Sequence, residues 1–317
     1  MTALERAILS TLSWFDLWRQ PLTTFECWYY LWDEDGAAVA SKPGDIYSSL
    51  LNLLKLGAVK NERGFWQLAS SPAYAAERLA RARWSIPKRR RAQRAAKLIM
   101  SLPFIRWVAL ANTLAAEGAG PESDIDLLIV VQPGRLYLGR LLVTALTQLL
   151  GWRRHGRHVT NRICLSFYIA ADNLNIKSLA YADDPYLIYW LASLYPLVNS
   201  SIEPELLQAN SWIRAFIPHR FEVDNLVKGW LNSAENKGLA RVTERALARG
   251  LGNVIEYWAR QFQLYLIKRH RDSRLGDGST AVVVNDSMLK FHESDQRPQL
   301  AASWRARQRQ ILADLSS

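Results

Sequence analysis

The sequence predicts an α+β protein. A small mixed sheet is framed by an N-terminal helical unit ending in a hairpin and by a C-terminal helical bundle. Three observations carry that prediction. Apolar runs at residues 107–111, 125–131 and 163–169, the second mostly β-branched, read as buried strands. Around them, apolar residues recur at helical spacing. Two carboxylates, Asp124 and Asp126, open the second run, and the two-residue period of a strand puts both on one face.

The elements follow in order. Residues 3–17 carry Leu4, Ile8, Leu9, Leu12 and Phe15 on one helical face. Pro21 to Thr24 supply a turn and an N-cap for a second helix over 25–33. A third, over 45–56, presents Ile46, Leu50, Leu51 and Leu54. Residues 58–60 and 65–68 pair as a hairpin across a polar turn. Three helices and a hairpin are the order of a winged helix-turn-helix. The third helix carries no Arg or Lys before Lys55, so docking or substrate positioning suits this unit better than reading a major groove.

Residues 72–102 read as a helical connection broken at Pro87. It carries a dense basic run from Arg78 to Arg94, with Lys88–Arg91 at its centre, that suits a polynucleotide backbone. Its second half, from 92, has the spacing of a helix lying under the first strand. After the second strand, Gln132-Pro133-Gly134 turn into a helix reaching about residue 150. Gly134 to Arg140 imitates a phosphate-binding loop but lacks the Lys followed by Ser or Thr. The third strand covers 163–169, with Asp172 just past its end.

From residue 183 the pattern reads as helical. It has aromatic-rich 186–197, then 206–217, then a long helix over 242–270 interrupted near Gly250, with Val254, Trp258, Phe262 and Leu266 as its apolar face. A second basic cluster spans 268–274, a loop 276–280, and a short apolar piece 282–284. His292 follows in a polar stretch within reach of a site, although a satisfied histidine is the plainer reading. The divisions expected are 1–70, a basic connection 71–91, a core 92–175 and a helical region 176–317.

The chain has 317 residues, enough for a large core, and thirteen tryptophans argue against disorder. A net charge of +11 favours an anionic partner, nucleotide or nucleic acid. Cys27 and Cys164 lack metal-ligand spacing and read as free thiols in a reducing compartment. No signal peptide or membrane-spanning run is evident, so a cytoplasmic protein without a membrane partner is expected. Oligomeric state is not encoded in any pattern.

Two carboxylates about 7 Å apart on one strand repel unless a cation lies between them. A hard divalent ion, typically Mg²⁺, suits such oxygen ligands. The order strand, small-residue turn, strand with Asp-x-Asp, written Leu110-Ala111-Asn112 … Ser123-Asp124-Ile125-Asp126-Leu127-Leu128-Ile129, resembles the DNA polymerase beta-type nucleotidyltransferase superfamily. The resemblance covers roughly residues 92–172.

It implies a nucleotidyltransferase core in which Asp124 and Asp126 hold Mg²⁺ on a nucleoside triphosphate and do the catalysis. Ala111, Asn112, Thr113 and Ser123 then contact the nucleotide, and Arg135, Arg140 and Arg153 supply charge to phosphates. Ala111 and Asn112 stand where the family has Gly and Ser, and the third strand offers Cys164, Ser166 and Tyr168 rather than a third carboxylate. The acceptor hydroxyl is unspecified and its base vacant. The alternatives are a catalytically silent protein of this fold that binds nucleic acid or a protein partner, and an adaptor whose metal is only structural.

Overall fold

A computed structural model of the chain shows a mixed α+β architecture built on one six-stranded sheet. The structure describes residues 1–34, 36, 40–198, 201–223, 238–248, 250–269, 280–292 and 295–315. Most of the 268–274 cluster and of the 276–280 loop lies outside them. Among the described residues, no helix is long and apolar enough to cross a membrane.

The N-terminal unit has the predicted order: α1 (Ala3–Asp16), α2 (Thr24–Tyr29), α3 (Pro43–Lys55), then the antiparallel pair β1 (Val59–Glu62) and β2 (Phe65–Leu68). Thr2 with Glu5, and Thr23 with Glu26, form reciprocal capping boxes that fix where α1 and α2 begin. The helix α4 (Ala75–Met100) then runs unbroken through Pro87. One missing N–H costs a single bond of the ladder. The buried face of Ala92, Ala95, Ala96 and Ile99 holds the rest of the helix against the sheet.

The sheet is assembled around β3 (Ile105–Leu110), β4 (Ile125–Val131) and β5 (Ile163–Ala170). β3 and β4 are antiparallel and flank the short helix α5 (Asn112–Ala115). β4 and β5 are parallel, so a crossover is required, and α6 (Leu136–Leu149) provides it. Gly139 lets α6 lie close: a Cβ there would stand 2.6 Å from a Val131 methyl. That is the role of the glycine in the loop-like Gly134–Arg140 stretch, which is a helix start and not a phosphate cradle.

The second half departs from an all-helical reading. β6 (Tyr195–Pro196) pairs with β3, and β7 (Val282–Val284) and β8 (Met288–Phe291) form a hairpin that extends the sheet from β5. The spatial order is β6-β3-β4-β5-β8-β7. The signal was present in the valine run and the Asn285-Asp286-Ser287 turn, but its partner Phe167 is far away in sequence. The helices are α7 (Pro185–Ser193), α8 (Ile202–Ala209), α9 (Leu239–Ala246), α10 (Leu251–Arg269) and α11 (Arg297–Asp314). α11 returns to the N-terminal unit, where Trp304 packs edge-on against Trp14 and Trp32 and donates to the Ser10 carbonyl at 2.9 Å.

α10 corrects a second expectation. Its predicted apolar face, Val254, Trp258, Phe262 and Leu266, is exposed. The buried face is Gly252, Ala259, Gln263 and Ile267. Polar contacts set this rotation. Glu256 accepts the N–H groups of Tyr137 and Leu138 at the start of α6, at 2.9 and 2.8 Å, and Gln263 donates to the Tyr137 carbonyl.

Candidate functional site

The site lies at the end of the sheet where β4 and β5 begin. Asp126 is in register with Cys164, and one extra residue on β5 before Phe167 bends the strands there. Asp124, Asp126 and Cys164 each bring a ligand atom within 4.8 Å of the others. Cys164 therefore occupies the place on the third strand where a third carboxylate was sought. Asp172 follows the other end of β5 and cannot serve.

The charge balance is uneven. Burial, and then the neighbouring charge of Asp124, push the Asp126 carboxyl well above the usual carboxylate range; hydrogen bonds from Asn112 and Cys164 and the charge of Arg154 only partly offset this. Arg154 pairs with Asp124: its Nη1 lies 2.6 Å from Asp124 Oδ2. Its side chain is 46% exposed, so the bond is a rim contact that a cation can displace. Burial pushes the Cys164 thiol up to about 12, with Asp126 adding to the effect. Cys164 is thus a protonated donor to Asp126.

Asn112 closes the site from the β3 side. It has φ +55°, in the left-handed region that Asn tolerates better than other side chains. The special backbone thus falls at Asn112, while Ala111 is extended, so its methyl is accommodated without strain. Asn112 Oδ1 accepts from Trp190 Nε1 at 2.8 Å and lies 3.5 Å from the Tyr186 hydroxyl. With its carbonyl fixed by α7, its amide is turned to Asp126. Asn112 and Thr113 also line a cavity of about 160 Å³ walled by Trp14, Phe15, Trp18 and Trp190.

A buried lysine sets the approach to Asp124. Lys88 Nζ donates to the carbonyls of Pro121 and Ser123, at 3.0 and 2.7 Å, and to Asn161 Oδ1 at 2.7 Å. It is 2% exposed. The Lys88–Arg91 run is therefore not one nucleic-acid face. Lys88 points inward, Arg89 bonds Glu117 at 3.1 Å, Arg91 lies over Trp152, and Arg90 is exposed. The Ser123 hydroxyl accepts the Gly120 N–H at 2.9 Å and so shapes the loop.

The three predicted arginines separate. Arg135 follows β4 at its far end, roughly 20 Å along the strand from the aspartates. Its guanidinium is committed to Leu247, Ala248 and Asn253, at 3.0, 2.9 and 2.8 Å, and it belongs to the α6–α10 junction. Arg140 returns toward the site because α6 runs back under the sheet; it shares a groove with Arg153, Arg154 and Cys164. Arg154, not Arg153, meets Asp124. Arg153 is half-buried and faces Arg140 and Tyr168 instead.

Comparison with protein-family models, curated proteins and solved structures returns no match for this chain. The functional reading therefore rests on residues and geometry.

Proposed function

We propose that the protein is a Mg²⁺-dependent nucleotidyltransferase that moves a nucleoside monophosphate from a nucleoside triphosphate to an acceptor hydroxyl. One observation carries the proposal. Asp124 and Asp126 converge at the end of a buried sheet with one half-exposed arginine bonded to Asp124, which leaves a net negative, oxygen-rich corner. Such a corner suits a hard cation held by the two carboxylates, the oxygen donors of the three.

A bound Mg²⁺ would supply neutralisation of the triphosphate and of the leaving group. In the transfer, the acceptor oxygen bonds to the α-phosphorus and the bond from that phosphorus to the oxygen bridging the β-phosphate breaks. Pyrophosphate leaves with the electron pair, and the hydroxyl proton passes to solvent. Asn112 orients Asp126, Lys88 and Ser123 shape the loop that presents Asp124, and the aromatic cavity beside Asn112 and Thr113 offers a stacking surface for a base. The three-helix and hairpin unit supports a winged-helix reading, as a docking or positioning module. Two free cysteines fit a reducing cytoplasm.

A specific observation favours a second reading, a catalytically silent protein of this fold that binds nucleic acid or a protein. Cys164 stands in register with Asp126 where a carboxylate would complete the site, and both ends of the Asn112 amide are already engaged. Calorimetric titration with each ribonucleoside triphosphate, with and without Mg²⁺, separates the two. The transferase reading expects Mg²⁺-dependent binding of at least one nucleotide that disappears in Asp124→Asn/Asp126→Asn. Binding that survives in the double variant would remove the assigned site.

A further inference from the structure

A second feature adjoins the aspartates. β8 pairs with β5 only from Phe167 to Ile169, so the edge of β5 at Cys164–Ser166 is uncovered by that strand. Along it, between α6 and α10, opens a groove of about 950 Å³. Arg140, Arg153, Arg154 and Arg269 line it, and no carboxylate does among the described residues. Arg154 meets Asp124 at the groove's end, as guanidiniums meet acids elsewhere: Arg78 with Glu26, Arg106 with Glu244, Arg297 with Asp184.

Arg140 is the telling member. It is half-buried on α6, held at 2.6 Å by the neutral Gln263 Oε1 and 4.8 Å over the Phe291 ring, and its Nε has no hydrogen-bond partner. Burial draws its pKa down, and the nearby Arg153 charge adds to that. A desolvated cation fixed by neutral neighbours and crowded by a second cation is a site for an anion. The groove is too long for one phosphate, and it exposes the Phe262 ring. Guanidiniums interleaved with an aromatic face suit a phosphate backbone with unpaired bases.

We propose that this groove binds a single-stranded nucleic acid, with phosphates on Arg140 and Arg153, a base against Phe262, and one end at Cys164 beside the aspartates. This names the acceptor class for the transfer proposed above and rests on that reading for the placement of the end. Strand binding itself is independent of it.

The test is fluorescence anisotropy of the full chain with a labelled short oligouridylate over a range of salt, with a duplex and polyglutamate as competitors. Wild type should bind. Arg140→Gln/Arg153→Gln should weaken binding at least tenfold and lower the salt slope by about 1.4, at about 0.7 per phosphate contact. Arg83→Gln, on the exposed side of α4, should change little. Phe262→Ala, at an exposed position that folding does not need, should cost about fivefold or more, the low end of one stacked base. The Mg²⁺–nucleotide response of the double arginine variant is measured beside its strand binding, to tell strand contacts from triphosphate contacts.

Unchanged strand binding in both the arginine and the Phe262 variants would overturn the proposal. So would polyglutamate or duplex competing as well as the single strand. Loss of the nucleotide response in the arginine variant would also overturn it, by giving those residues to the triphosphate. Strand binding by a wild type that shows no nucleotide response would uphold the groove and remove the transferase reading.

Discussion

Among the described residues, two aspartate clusters set back from the surface are solved differently. In one, Arg297 reaches Asp184 and Asp295 at 2.7 Å each, and all three side chains are at most 6% exposed. Burial pushes the Asp295 carboxyl up, but the hydrogen bonds and charge of Arg297 win and leave it at about 2. In the other, one rim arginine bonds Asp124, and burial with mutual repulsion wins at Asp126. The first cluster contains its own counterion and ties α11 to α7. The second has only a half-exposed arginine, bonded to Asp124 at its rim. A deficit of positive charge maintained at the end of a rigid sheet is what separates a binding site from a structural ion pair.

Breaking the saturated cluster should have the largest effect. Arg297→Met leaves two buried carboxylates without their cation and should destabilise the fold by about 3–5 kcal/mol in urea unfolding. A loss below about 1 kcal/mol would mean the cluster is not what holds α11. Next comes the lysine that ties the two regions of the site loop. Lys88→Met leaves two carbonyls and the Asn161 amide oxygen without their donor, at about 1–3 kcal/mol, and should also weaken Mg²⁺–nucleotide binding. Destabilisation with unaltered nucleotide affinity would show that Lys88 does not position Asp124.

The pH dependence sharpens the contrast. The folded pKa of Asp295, about 2, lies below the unfolded carboxylate value of about 3.9. Its contribution is present above about pH 4 and is lost as pH falls toward 2. Asp295→Asn should flatten that part of an acid-unfolding profile, and an unflattened profile would assign the loss to other groups. The smallest change is expected at the unsaturated cluster. Asp126→Asn removes a repulsion and should leave stability without ligand unchanged or raise it by about 1 kcal/mol, as substitutions at strained functional sites do. A loss as large as that of Arg297→Met would make Asp126 structural.

Much of the site was legible because its signal is local. Charge at alternate positions of an apolar strand marked Asp124 and Asp126, and the cap in Pro21–Thr24 and the turn at Gln132–Gly134 marked helix starts. Contacts made across long stretches of sequence were not legible. Nothing near Phe167 announces that Lys290 pairs beside it. Arg154 and Arg153 are neighbours of the same type, and only the fold chooses between them. α10 misled because its stripe of large apolar residues is a stronger pattern than Gly252 and Ala259, yet close approach and the Glu256 cap decided the rotation. Lys88 looked like one more cation in a basic run, and only the fold shows three oxygens waiting for it.

The central claim is that the Asp124–Asp126 corner is completed by a divalent cation carrying a nucleotide. Its most direct test is thermal stability of wild type and Asp124→Asn/Asp126→Asn with each ribonucleoside triphosphate, with and without Mg²⁺. A ligand at 100 times its Kd stabilises the native state by about 2.7 kcal/mol, which is a shift of several degrees. The account predicts a Mg²⁺-dependent rise for at least one nucleotide in wild type and none in the double variant. No rise in wild type with any of the four, or an equal rise in the variant, would contradict it.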